Sequence, residues 1–200
     1  AGEFPGYFDA ETDAKGRFNY FSIPAVGEFV VSAKMGTVRD HGATAARTIR
    51  LAKDGETVST GDLEVKPGVR LEGRVMLSDG EPLPPGTKLT IGRQEAWDSL
   101  SIDLPPDGRF DVSNLPPESL RLSARVKGYR PSLKNPSLDR LNGFGLVGKL
   151  TRDISGFILL LEPGDRLTRE EMEKGGGRNL QPQDEPLRSA TVPLAKDTAL

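Results

Sequence analysis

From Val69 onward the chain alternates in twos. Val69, Leu71, Val75 and Leu77 are separated by Arg70, Glu72, Arg74 and Met76, the period of a strand with one buried face. Gly73 interrupts the pattern and predicts a bulge or a close approach of another backbone. Asp79-Gly80 supplies turn chemistry at the strand's end, and Pro82, Pro84, Pro85 and Gly86 prolong the loop. Leu89 and Ile91 predict a second strand, and Leu100, Ile102 and Leu104, set against Ser101 and Asp103, a third. Asp107-Gly108 predicts the tight turn of a hairpin into a short fourth strand carrying Phe110 and Val112. The fifth has the cleanest alternation: Leu120, Leu122, Ala124 and Val126 inward, Arg121, Ser123 and Arg125 outward. The last, Ile154–Leu161, is apolar enough to be central in a sheet. Between these two lies Arg130–Leu150, with Pro131, Pro136, Gly143, Gly145 and Gly148 and a helical turn expected around Leu138–Leu141. A loop of that length in a compact domain is often functional.

The same signals recur upstream. Gly16-Arg17-Phe18 answers Gly108-Arg109-Phe110, Ile23-Pro24-Ala25 answers Leu115-Pro116-Pro117, and Phe29–Lys34 answers Leu120–Arg125. Leu63-Glu64-Val65-Lys66-Pro67-Gly68 answers Leu159-Leu160-Leu161-Glu162-Pro163-Gly164. Four matches in one order, at offsets of about 91 to 96 positions, predict a repeat of the size of a β-sandwich domain. The expected organisation is all-β: tandem immunoglobulin-like, prealbumin-like antiparallel β-sandwiches, the first truncated at its N-terminus. Residues 1–68 are then the C-terminal part of a first repeat, with strands at Phe18–Phe21, Phe29–Ala33, Thr48–Ala52 and Gly61–Val65. Residues 69–164 are a complete second one, and 165–200 a poorly ordered linker or tail. Within that tail 166–174 has helix-forming composition, Gly175–Gly177 breaks it, and Ala190–Leu194 resembles the start of another strand.

Composition narrows the function classes. Gly (23) and Pro (16) are too frequent for long helices and suit short strands joined by tight turns. A net charge of −2 lacks the basic excess that phosphate backbones demand, so no nucleic-acid partner is expected. No apolar run approaches the ~20 residues of a membrane-spanning helix, so membrane insertion is not expected. With no cysteine there is no disulfide, thiol nucleophile or thiolate metal site. The chain opens on Ala1 without Met or an apolar leader and is expected to be an excised piece of something longer.

Candidate chemistry is sparse. His41, the single histidine, would have to serve any Ser-His-Asp triad or His-rich metal site. In Arg39-Asp40-His41-Gly42 it is expected to be a surface loop residue. Asp9, Glu11 and Asp13 could present oxygens to calcium, but the EF-hand spacing is missing and a solvated turn is the plainer expectation. Asp107 is explained as a turn former. Gly143-Phe144-Gly145-Leu146-Val147-Gly148 fits G-x-G-x-x-G without the strand–helix context a dinucleotide needs, so flexible-loop glycines are expected there. Gly175–Gly177 lacks the Lys-Ser/Thr of a P-loop. No cofactor and no metal site is expected. Trp97, the only tryptophan, follows Gln94-Glu95-Ala96 between strands two and three. It is either half-buried packing, the default, or an exposed ring for stacking on a sugar or anchoring a partner. Tyr129 closes strand five, and Phe144 sits in the 130–150 loop. Trp97, Tyr129 and Phe144 are the candidate ligand-binding residues, with Tyr129 the most structural of the three.

Asp79-Gly80-Glu81-Pro82-Leu83-Pro84-Pro85-Gly86, then Asp107-Gly108-Arg109-Phe110, Leu115-Pro116-Pro117 and Gly128-Tyr129 resemble the turn and core motifs of carboxypeptidase regulatory-like domains. That family is similar to the transthyretin-like domain following the catalytic domain of some metallocarboxypeptidases, and it is repeated in large bacterial envelope and secreted proteins. Glu118 departs from it, standing where glycine is usual after the double proline, as does Leu120, where an aromatic is common. The resemblance implies a non-catalytic structural or interaction module, a spacer or protein-binding unit, in an extracytoplasmic protein. It implies neighbouring domains of the same polypeptide as partners, with another protein or a glycan as candidate ligands. A carbohydrate-binding module and an accessory domain of a peptidase are the alternatives.

Overall fold

The structure is a computed structural model of the chain and describes residues 6–24, 27–137, 141–142, 145–165, 168, 170–171 and 186–190. It is all-β apart from short helical turns. Strands β1 (Gly27–Val31) and β2 (Arg47–Leu51) form an antiparallel pair, with a single helical turn, α1 (Met35–Val38), between them. The remaining strands are β3 (Val69–Leu77), β4 (Lys88–Arg93), β5 (Ser99–Asp103), β6 (Arg109–Leu115), β7 (Ser119–Ala124), β8 (Tyr129–Pro131), β9 (Leu141–Asn142), β10 (Gly145–Lys149) and β11 (Ile154–Pro163). They build a five-stranded sheet, β5-β4-β7-β10-β9, and a four-stranded sheet, β6-β3-β11-β8.

Both sheets supply one core in a sandwich-like arrangement. Leu71, Val75, Phe110, Val112, Phe157 and Leu159 come from one sheet and Leu89, Ile91, Leu120, Leu122 and Leu146 from the other. The period of two predicted for β3 and β7 is realised: Leu71, Val75 and Leu77 are buried, as are Leu120, Leu122 and Ala124. Gly73 is the close approach its place suggested. A Cβ there would run into the Phe157 carbonyl oxygen and the Phe110 ring, whose edge-to-face contact with Phe157, centroids 6.4 Å apart, fills the space beneath it. β11 is central, as expected, between β3 and β8. Its pairing with β3 is parallel, whereas the other strand pairs are antiparallel.

Several expectations are corrected. Asp107-Gly108 is a tight turn, with Gly108 at φ 72° and its N–H donating to the Pro105 carbonyl at 2.8 Å, but it closes no hairpin. β5 belongs to the five-stranded sheet and β6 to the four-stranded one, so the turn carries the chain across the core. Leu104 is buried at the crossing, and the Pro105-Pro106 pair cannot donate to a continuing ladder. The 130–150 stretch contributes the end of β8, β9 and β10 among its described residues and is not one long loop. Gly145 to Gly148 of the glycine-rich segment lie in β10, buried between β7 and β9, rather than in a flexible loop. Burial on both faces and two glycines erase the alternation that would have revealed it. Leu138–Asp139-Arg140 and Phe144 lie outside the described residues, and Leu141–Asn142 are strand, not helical turn.

Upstream, β1 and β2 fall on two of the four expected strands. Phe18–Phe21 and Gly61–Val65 are not strands; no ladder partner lies beside them among the described residues, and an extended segment without one is not a strand. Lys66 makes only an isolated bridge to Ala43. In the 165–200 tail, the described segment 186–190 is docked. Leu187 is 3% exposed in the core, its N–H donates to the Lys149 carbonyl, and the Ala190 N–H donates to Gly156. Of the residues from Ala190 to Leu194, only Ala190 is among those described.

Candidate functional site

The residues before β3 are tied to the sandwich by a buried arginine. Arg93, at the end of β4, is 1% exposed. Its Nε and Nη2 donate to both carboxylate oxygens of Glu118 at 2.6 and 2.7 Å, and its Nη groups also donate to the carbonyls of Ala33 and Thr44. The planar fork suits this double task, because guanidinium matches a carboxylate bidentately and keeps donors for other acceptors. Met35 enters the common core, and its N–H donates to Asp98 Oδ2 at 2.7 Å. Asn114 Nδ2 donates to the Arg39 carbonyl at 2.7 Å.

Beside this junction lies a cavity of about 340 Å³. Three parts of the chain form its walls: the extended segment around Tyr7–Asp9 with Tyr20, strand β1 with Phe29, and the β4–β5 turn carrying Glu95, Trp97 and Asp98. That turn is held firmly, with Arg93 N–H to the Asp98 carbonyl, Asp98 N–H to Ala96 and Gln94 N–H to Ser119. Trp97 is 76% exposed at the mouth. The default expectation of half-buried packing is therefore wrong. Tyr7 and Phe8 are also exposed, and the Phe18 ring meets Tyr20 edge-on at 5.8 Å.

Charge is unevenly placed around these rings. Asp9, Glu28, Glu95 and Asp98 line the cavity; Lys34 is the only basic residue among the described lining. Lys34 Nζ sits 2.7 Å from Asp9 Oδ2 and 5.7 Å from the Tyr7 ring centroid. The ammonium holds Asp9 below the usual carboxylate range, and the Asp9 hydrogen bond pushes Lys34 up. Burial raises the Tyr20 phenol, and the Asp9 charge adds to the effect. The site can stack flat or apolar groups on aromatic faces and attract positive charge.

The other candidates lie elsewhere. Tyr129 is a staple: its hydroxyl donates to Asp79 Oδ2 at 2.6 Å, pinning the Asp79-Gly80 turn. Phe144 is outside the described residues. His41 is exposed in the turn after α1. Asp13 closes its own turn, accepting from the Lys15 and Arg17 N–H groups, and is not directed at a shared centre with Asp9. Among the described residues no three His, Cys, Asp or Glu side chains converge to hold a metal. The sequence marks Phe29 only as a strand residue and singles out neither Tyr7 nor Tyr20. Its one hint is an aromatic excess near the start: four of the eight phenylalanines and two of the three tyrosines fall within the first 21 residues. No protein-family model matches the chain. No curated protein matches it either.

Proposed function

We propose that the chain is a non-catalytic β-sandwich interaction module of a larger exported or envelope protein, binding its ligand through the Trp97 groove. In this reading residues 69–164 are a complete immunoglobulin-like, prealbumin-like unit of the carboxypeptidase regulatory-like kind. Residues 1–68 are the C-terminal part of a preceding unit. The antiparallel β1–β2 pair supports the repeat, because β1 holds the place of β7 in the sequence match and β7 likewise pairs with β10.

One observation carries the binding role: a tryptophan 76% exposed, on a pinned turn, lining a cavity with Tyr7, Tyr20 and Phe29. A pure spacer has no use for such a ring, whereas binding hot spots are enriched in it. The rings of Trp97, Tyr7 and Tyr20, which line one cavity, also favour a second reading, a carbohydrate-binding module, since sugars stack on aromatic faces. The test is to probe arrays of immobilised peptides and glycans with the chain and with Trp97→Ala. Binding that the substitution abolishes is the expected result. Binding unaffected by Trp97→Ala moves the binding surface away from the groove, and none on any array leaves only the spacer role.

A further inference from the structure

We infer that the Trp97 groove recognises a cationic side chain, arginine or lysine, on an extended segment of a protein partner. This rests on the reading of the chain as an interaction module and specifies its ligand. The argument is charge complementarity. Four carboxylates line the groove against one ammonium, although the whole chain is nearly balanced at −2. Lys34 already engages Asp9. Asp98 holds the Met35 N–H, and Glu28 and Glu95 remain as negative charge lining the groove.

The groove also contains a small model of the ligand it would take. Lys34 places an ammonium over the Tyr7 ring and against a carboxylate. A ring face attracts a cation through its quadrupole and a carboxylate through its charge, and the two act together here. Trp97, the strongest kind of ring for a cation, lines the same groove, with Glu95 two positions before it on the turn. Volume sets the scale: about 340 Å³ is at the low end for ligand clefts, enough for one or two side chains and not for a folded domain. A neutral sugar would gain from the rings but nothing from the net negative charge. A guanidinium gains from both, stacking its plane on the indole while its N–H groups meet the carboxylates.

Because Trp97 is the only tryptophan, its emission reports on the groove directly. The full chain is titrated with a hexa-arginine peptide, with the same peptide carrying neutral citrulline in place of arginine, and with a neutral hexasaccharide. The expected result is a saturable change in emission with hexa-arginine, weaker by about tenfold with citrulline and with the Glu28→Gln/Glu95→Gln double variant. Substituting Glu81→Gln and Asp103→Asn, outside the groove, is expected to change nothing. Equal affinity for the arginine and citrulline peptides, or equal losses from both double variants, overturns the cation site. A saturable response to the hexasaccharide alone also overturns it while leaving the binding-module reading intact. If no probe perturbs Trp97, the cation site falls; if the arrays are blank as well, the module reading falls with it.

Discussion

Arg93 and Glu118 form a bidentate pair at 2.6 and 2.7 Å, and the arginine side chain has no solvent exposure at all. Such a pair says little about net stability, because desolvation consumes much of the attraction. It says a great deal about what happens when one partner is lost. Glu118→Ala leaves a buried guanidinium uncompensated, and the expected cost is about 3–5 kcal/mol in urea unfolding followed by circular dichroism. Glu118→Gln keeps an acceptor and should cost less. The double variant Arg93→Met/Glu118→Leu should recover part of the loss. It should also loosen the β1–β2 unit, because the carbonyls of Ala33 and Thr44 lose their donor. Faster amide exchange at β1 and β2 than at β7 would show this.

Gly73→Ala tests the closeness of β3 and β11. The added methyl meets the Phe157 backbone and the Phe110 ring, and neither can move without displacing the core. Overpacking of this kind costs about 1–3 kcal/mol, and the loss should appear as a lower thermal midpoint.

Leu187→Ala tests whether segment 186–190 belongs to the folded body. The residue is 3% exposed, so truncation should cost about 2–4 kcal/mol. A truly loose tail would give no change in the unfolding midpoint.

Acid titration should separate two anchors. Glu171 is held down to about 2, chiefly by accepting the Thr168 backbone N–H, with Arg130 adding. A carboxyl whose folded pKa is depressed contributes stability above its unfolded value and loses it as pH falls through the folded one. The Glu171 contacts should therefore be complete above its ordinary value of 4.5 and lost as pH falls toward about 2. Asp79 is lowered in the same direction, by the Tyr129 hydroxyl. Tyr129→Phe should return the Asp79 carboxyl toward the usual range and leave Glu171 unmoved, read by carbon NMR of the two carboxyl groups.

Trp97→Ala should change stability by less than about 0.5 kcal/mol, as for an exposed site away from packing. Chemical denaturation of the variant measures it, and a small value separates the binding role proposed for the residue from the fold.

The sandwich was legible where one face of a strand is wet. Arg, Glu and Ser between the buried residues of β3 and β7 made the period visible. It was illegible where both faces are covered, as in β10, whose glycines and buried Leu146 and Val147 carry no alternation. The Asp107-Gly108 turn was legible, but whether it joins neighbours in one sheet or crosses to the other depends on tertiary packing. For the groove, Trp97 could be named from sequence because it is unique; its companions Tyr7, Tyr20 and Phe29 could not, because only folding brings them to the β4–β5 turn. Glu118 was visible as a departure from the motif that the sequence resembles. Its purpose emerged only with Arg93, 25 positions away, against it.

The parallel ladder between β3 and β11, from Leu71 opposite Ile154 to Leu77 opposite Leu161, has a mechanical consequence. β3 starts and β11 finishes at opposite ends of the same ladder. Tension applied through those two points loads the ladder in shear, so its hydrogen bonds share the force and do not open in succession. Resistance to pulling is set by the rate of rupture and not by equilibrium stability. A unit built this way is suited to bearing load in a chain stretched between anchored ends.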